Sequence, residues 1–195
     1  MDEADLIAAA QQGKMDAFND LVLTYQQQVY NLAYRIMSDP ASASDATQEA
    51  FIAAFRSIGR FRGGSFKSYL MRIVSNRCYD ELRRRKRRPA TSFEDFGVVD
   101  EESNPALING HEGPEEYTER QEMAHMIQSG IETLPPNQRI TLVFCDVQGL
   151  SYQEIAETMN VSLGTVKSRL ARARAKLRDY LRSEGELLPA RYRLE

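Results

Sequence analysis

Residues Ser151 to Leu181, SYQEIAETMNVSLGTVKSRLARARAKLRDYL, decide how this chain folds. Ser151 is placed to cap a short helix, and Glu154 completes a capping box with it. Ile155, Ala156 and Met159 then face inward, and Asn160-Val161 makes a turn. Ser162 caps the next helix, where Val166, Leu170, Ala173, Leu177 and Leu181 recur at the spacing of one buried stripe. Two amphipathic helices joined by so short a turn have the pattern of a helix-turn-helix. With the stripe buried, Thr165, Ser168, Ala171 and Arg172 point outward, while Lys167, Arg169, Arg174 and Lys176 lie on the flanks. The second helix of such a motif enters the major groove by its N-terminal part. Thr165, Lys167, Ser168 and Arg172 are therefore expected at base edges or their phosphates, and Arg174 onward at the backbone. A helical hairpin that contacts protein would also explain the stripe, but not the early cluster of cations.

Upstream of the motif, Glu119 to Thr133 reads as a helix with Met123, Met126, Ile127 and Ile131 apolar. Leu134-Pro135-Pro136 breaks it, Pro136 opens a helix that runs through Val147, and Gly149 ends that one. Between Pro89 and about Tyr117 there are prolines, glycines and acid but no sustained period, the pattern of a flexible linker.

A second cationic helix precedes the linker. Phe66 to Arg88, FKSYLMRIVSNRCYDELRRRKRR, places Phe66, Leu70, Ile73, Cys78 and Leu82 on one stripe. Its other face carries Lys67, Arg72 and Arg77 and leads into the run Arg83 to Arg88. Tyr69 and Asn76 project from the same rod. An aromatic plate, an amide and a row of cations are the parts that stack an exposed base, read its edge and hold its phosphates. A solvated basic face on an amphipathic helix is the plainer explanation of the same residues. Just before it, Gly63-Gly64 forbids a continuous helix, and Arg60 and Arg62 flank a loop that begins at Gly59.

Earlier still, Asp5 to Met37 reads as two helices broken near Gly13, with Phe18, Leu21, Val22, Tyr25, Val29, Leu32, Ala33 and Ile36 as core. Ser38-Asp39-Pro40 stops the second, and Ser42 or Ser44 is placed to cap the next. In that next helix Asp45, Gln48 and Glu49 form a polar patch beside Phe51, and Phe55 adds apolar surface.

The formal charge of -3 conceals a polar layout along the chain. Arg56 to Arg88 holds twelve Lys/Arg against two Asp/Glu, and Pro89 to Glu132 holds one against eleven. Cys78 and Cys145 lack a CxxC or His partner, so neither a zinc site nor a disulfide is expected. His111 and His125 stand without a nucleophile or carboxylate constellation. No phosphate loop or catalytic cluster supports an enzyme, and no cofactor or metal is expected. No apolar run reaches membrane-spanning length and the N-terminus begins acidic, which predicts a cytoplasmic protein with no membrane insertion.

Taken together, AFNDLVLTY, ASDATQEAFIAAFRSIGRF, the helix containing RIVSN, LPPNQR, and the motif ending GTVKSRLARAR resemble an extracytoplasmic-function sigma factor of the sigma-70 family. The resemblance runs from about Leu6 to Leu181 and implies an all-α fold of two small helical domains. Residues 1–88 would be sigma domain 2, 89–117 the acidic linker, 118–183 sigma domain 4, and 184–195 a short tail. It also implies a promoter-specificity subunit, not an enzyme, whose partners are core RNA polymerase and promoter DNA, with an anti-sigma factor as a further partner in many members. Asp45, Gln48, Glu49, Phe51 and Phe55 would then meet the polymerase. The minus-ten element would meet Arg60, Arg62, Phe66, Lys67, Tyr69, Arg72, Asn76, Arg77, Arg83 and Arg84. The Gly59 to Ser65 loop and Asn76 would form the pocket for a flipped base, and the family commonly has Trp where this chain has Tyr69. The minus-thirty-five element would meet Ser151, Tyr152, Thr165, Lys167, Ser168, Arg169, Arg172 and Arg174. A DNA-binding regulator of the response-regulator output type is the competing resemblance. It shares the helix-turn-helix but has no need of the Phe66 to Arg88 helix.

Overall fold

The computed structural model of the chain describes residues 2–87 and 114–184. Among the described residues eight α-helices follow in order: α1 (Glu3–Gln11), α2 (Met15–Met37), α3 (Pro40–Ser57), α4 (Phe66–Arg87), α5 (Pro114–Glu132), α6 (Pro136–Leu142), α7 (Tyr152–Met159) and α8 (Leu163–Ser183). A 3-10 turn, Ile58–Arg60, follows α3, and the helix expected from Pro136 to Val147 ends in a π-helical segment, Val143–Val147. No strand occurs among the described residues, in agreement with the all-α expectation. The acidic linker and His111 fall outside the described residues as far as Gly113, and α5 begins inside the linker's expected C-terminal end. The tail lies outside them from residue 185.

In the first lobe, α2, α3 and α4 pack around Leu21, Val29, Leu32, Ile36, Ala50, Phe66, Leu70, Met71 and Val74, all buried. The alanines at 43, 46, 50 and 54 give α3 a smooth face that lets its neighbours approach closely. One cap differs from the sequence expectation. Asp39 caps α3, accepting from the Ser42 amide at 2.8 Å, and Pro40 is its first helical residue, while α2 ends at Met37, directly before Ser38-Asp39-Pro40, as expected. A proline there loses no bond, because the first amides of a helix have no partner within it.

In the second lobe, Ile131, Ile140, Phe144, Ile155, Val166, Leu170 and Ala173 form the core, and Leu177 is half-buried against it. Both elements of the Ser151–Glu154 capping box are present, at 2.8 and 3.2 Å. Asn160 ends α7 with a left-handed φ of 51°, and Ser162 caps α8 through the Thr165 amide at 3.1 Å.

The lobes meet along a seam between α2 and α4 on one side and α5, α6 and α7 on the other. Gln128 of α5, 7% exposed, accepts from Arg35 Nη1 at 2.9 Å and donates to Ser38 Oγ at 2.8 Å. Arg139 of α6 is 8% exposed and donates to the Ile36 carbonyl at 2.6 Å and to the Glu132 carbonyl. Those carbonyls lie at the C-terminal ends of α2 and α5, where helix dipoles favour a cation. Burial nevertheless pushes the Arg139 guanidinium below its ordinary pKa, because the charge is taken from water, and attraction to Glu132 offsets this only in part. Among the described residues Arg139 Nε and Gln138 Oε1 are buried with no hydrogen-bond partner, so the Arg139 guanidinium is incompletely satisfied.

Candidate nucleic-acid interface

The loop between α3 and α4 is held from behind. Gln11 of α1 donates from Nε2 to the carbonyls of Ile58 at 3.1 Å and Phe61 at 2.8 Å. Gly63 and Gly64 take φ values of 96° and 89°, which β-carbon sterics make costly for other residues. Arg60 and Arg62, both on the N-terminal side of this bend, are exposed, and the bend delivers the chain to the first turn of α4.

Along α4 the side chains divide by register. Phe66 is 1% exposed, packed edge-on against Tyr25 at 5.8 Å and Phe61 at 5.6 Å between ring centroids. This corrects the expectation that it meets DNA: it is the first member of the buried stripe and belongs to the core. Tyr69 is half-buried, tilted on Phe61 at 5.2 Å, with its hydroxyl 2.6 Å from Ser57 Oγ. Its ring is thus fixed from one side and held by its tip. Arg72 and Asn76, three and seven residues on, are exposed on the same side.

The remaining cations are distributed unevenly. Arg77 approaches Glu49 of α3 at 3.9 Å. Glu81 binds both Arg84, at 2.7 Å, and Arg85, at 3.1 Å, and the hydrogen bond from Arg84 leads in holding its carboxyl below the usual range. Arg83 is exposed. Lys67 is half-buried, and it exerts a small attraction on Glu154 of α7, whose carboxyl is lowered first by the Ser151 hydroxyl. The first turn of α4 therefore faces the helix-turn-helix across the seam.

On α8, Lys167, Ser168 and Arg172 are exposed and Arg169 is half-buried. Thr165 points less outward than expected, since its hydroxyl lies 2.9 Å from Ser162 Oγ and its amide serves the cap. Ser151 is likewise committed to a cap, with its hydroxyl on the Glu154 amide. Arg174 is bound in two-pronged fashion to Asp146, at 2.6 and 3.0 Å, and Tyr152 is close enough to raise its pKa further. The Arg174 bond is the main reason that the Asp146 carboxyl sits below its usual range. So α8 carries exposed Lys167 and Arg172 in its first three turns, and Arg174 is already occupied.

The α3 face is also sorted by register. Asp45, Gln48 and Glu49 are exposed, whereas Phe51 is a buried core residue and Phe55 packs edge-on against Phe18 at 5.0 Å. Phe51 is corrected in the same way as Phe66, being offset from the exposed row by helical pitch. Ile52, 45% exposed, joins this row one turn beyond Gln48 and Glu49. The spacing 45, 48, 52, 56 contained the signal for that placement.

Comparison with known proteins agrees with this layout. Residues 21–88 match Sigma-70 region 2 and residues 124–177 match Sigma-70, region 4. The chain is 38% identical over 175 residues to the RNA polymerase sigma-H factor of Pseudomonas aeruginosa, covering 88% of this chain and 90% of that one. It is 35% identical over 170 residues to the ECF RNA polymerase sigma-E factor of Escherichia coli K12, covering 87% and 88%. With the ECF RNA polymerase sigma factor SigE of Mycolicibacterium smegmatis the identity is 39% over 175 residues, 89% of this chain but 65% of that longer protein. In fold it is similar to CnrH, solved in complex with the cytosolic domain of CnrY, with a TM-score of 0.65 and 24% identity over 92% and 96% of the two chains. It is also similar in fold to the sigma factor RpoE from Bartonella quintana, solved with the anti-sigma factor NepR, at a TM-score of 0.64 and 21% identity over 84% and 96%. With a region of the family on each lobe and relatives matched over almost their whole length, the chain belongs to the sigma-70 family of RNA polymerase sigma factors, as a member of the ECF type.

Proposed function

We propose that the chain directs core RNA polymerase to promoters, with α4 and its preceding loop acting at the minus-ten element and α8 at the minus-thirty-five element. The observation that carries this reading is the pairing of two exposed polar-cationic faces on separate lobes: Arg72 and Asn76 on α4, Lys167 and Arg172 on α8. Arg60, Arg62 and Arg83 would add phosphate contacts, and Tyr69 offers an aromatic edge whose far side is set by Phe61 and Phe66. Residues 1–88 and 118–183 are the two working domains in this reading. The exposed row Asp45, Gln48, Glu49 and Ile52 is the surface for polymerase, and the family implies an anti-sigma factor as a further partner.

Energetics explain why polymerase is required. Separating about ten base-pair steps loses roughly 14 kcal/mol of stacking, at about 1.4 per step. Capturing an unpaired base on an aromatic or polar surface returns only about 1 to 3 kcal/mol. The chain thus selects bases while the enzyme holds the strands apart. It is a specificity subunit with no reaction of its own, and work on the polymerase puts it in the cytoplasm. Among the described residues, no helix is long and apolar enough to cross a membrane.

Reading both elements also requires the seam to part. Elements about 25 base pairs apart lie roughly 85 Å from one another at about 3.4 Å per step, whereas α7 packs on α4 in the closed form. Residues 88–113, 26 in number between α4 and α5, reach at most about 90 Å when fully extended. The test is run-off transcription with purified core polymerase on genomic fragments. RNA starting at defined positions only when this chain is present is the expected result; absence of any defined start refutes the proposal.

A further inference from the structure

Leu163 is the first residue of α8 and is 44% exposed, a large apolar side chain at the leading end of a helix whose neighbours are polar or cationic. The spacing 163, 167, 171 puts it on one row with Lys167 and Ala171, both exposed. Gly164 follows it. Among the described residues a β-carbon there would meet only Ser162 Oγ, at 3.8 Å, so none of them requires the glycine. Glycine costs up to about 1 kcal/mol relative to alanine in a helix interior and has no packing reason among the described residues here, so an external surface that comes close supplies one. The first turn of α8 contains no acidic residue, although acids there would favour the helix dipole. Lys167, Arg169 and Arg172 follow in the next turns. An end that repels cations but is stocked with them fits a polyanion.

The geometry points to Leu163 as a specificity-determining residue that packs on the C5-methyl group of a thymine in the minus-thirty-five duplex, with Gly164 admitting the adjacent sugar-phosphate backbone. The methyl of thymine is the apolar group on the major-groove edge of the base pairs, which makes it the complement of an exposed leucine at this position. The inference rests on the reading of α8 given above and adds one residue and one chemical group to it.

The experiment uses holoenzyme reconstituted from core polymerase and the full chain, on a promoter whose start has been mapped. Each thymine of the minus-thirty-five element, on either strand, is replaced in turn by deoxyuridine, which deletes the methyl and nothing else. One position is expected to lose about fourfold in promoter binding, the worth of one buried methyl. Leu163→Ala should abolish that thymine-to-uracil difference, and Leu163→Met should retain most of it. Gly164→Ala should weaken binding to both templates alike. Circular dichroism checks that the variants fold, as substitution of an exposed residue should permit. A wild-type enzyme indifferent to every methyl, an element without thymine, or a Leu163→Ala enzyme with the wild-type difference at every position overturns the inference while leaving the promoter reading intact. Failure to find any start overturns both.

Discussion

Replacing Gln128 by alanine should loosen the closed form by an amount the seam allows to be worked out. Across the lobes Gln128 accepts a hydrogen bond from the Arg35 guanidinium and donates one to Ser38 Oγ, with a longer, weaker donation to the Arg35 carbonyl at 3.4 Å. A bond to a charged group is worth about 1.5 to 3 kcal/mol net and a neutral one about 0.5 to 1.5, so the low ends together come to about 2 kcal/mol. Opening restores water to Arg35 and Ser38 but not their partner. At about 1.4 kcal/mol per factor of ten, the ratio of open to closed chain should rise by roughly thirtyfold. Single-molecule energy transfer between dyes at Gln26 on α2 and Lys176 on α8, both exposed, measures the two populations directly. Arg35→Ala should shift them similarly, and the double variant should shift them by less than the sum. Core polymerase should drive the wild-type chain to the open population. If Gln128→Ala changes the ratio by less than about threefold while the chain stays folded, these bonds do not hold the seam, and the Arg139 bond to the Ile36 carbonyl and apolar contact do.

Other expectations follow from particular contacts. Gly130 of α5 lies under α8, where an added β-carbon would come within 2.5 Å of Leu177 Cδ1 and 2.8 Å of Tyr180 Cδ1. Gly130→Ala should therefore lower the thermal midpoint, overpacking of about 1 to 3 kcal/mol outweighing the helix propensity gained; a raised midpoint would show that α8 yields freely. Asp146 has its carboxyl depressed mainly by the Arg174 bond. A depressed acid contributes stability that is present above its unfolded pKa of about 3.9 and lost as pH falls through the lower folded value. Acid unfolding of Asp146→Asn should lack that component, and identical acid titrations of the two chains would refute it. At the interface, Arg172→Ala should weaken the minus-thirty-five contact by about 1 to 3 kcal/mol. Asn76→Ala should reduce initiation through the minus-ten position. Promoter-variant run-off assays separate the two effects, and wild-type preference in both variants would dismiss the residue assignments.

Much of this molecule is written in its sequence because the relevant interactions are local. The Ser151 capping box, the Ser162 cap and the left-handed Asn160 follow from neighbours three or four residues apart. The buried row Val166, Leu170 and Ala173 follows from helical pitch. The resemblance to the family, and not the periodicity, placed Phe66 and Phe51 on contact surfaces, whereas each opens or joins a core stripe. Local pattern tells that a helix has two faces, but a hydrophobic aromatic at the border is assigned only by what packs on it. Asp39 displaced Ser42 as the α3 cap for a related reason, because both residues suit the role and only the backbone path selects one.

The tertiary structure alone decided the seam. Arg139 looks like one more cation within LPPNQR, and its burial between the carboxyl ends of α2 and α5 depends on residues 103 positions apart meeting in space. The pairing of Arg174 with Asp146 and the spare space at Gly164 are also three-dimensional facts. Sequence fixes which side chains are cationic and which helix face they share. Whether a given cation is free for phosphate or already satisfied by a carboxylate or a helix end depends on distances of a few ångströms between separate elements, which only the folded chain sets.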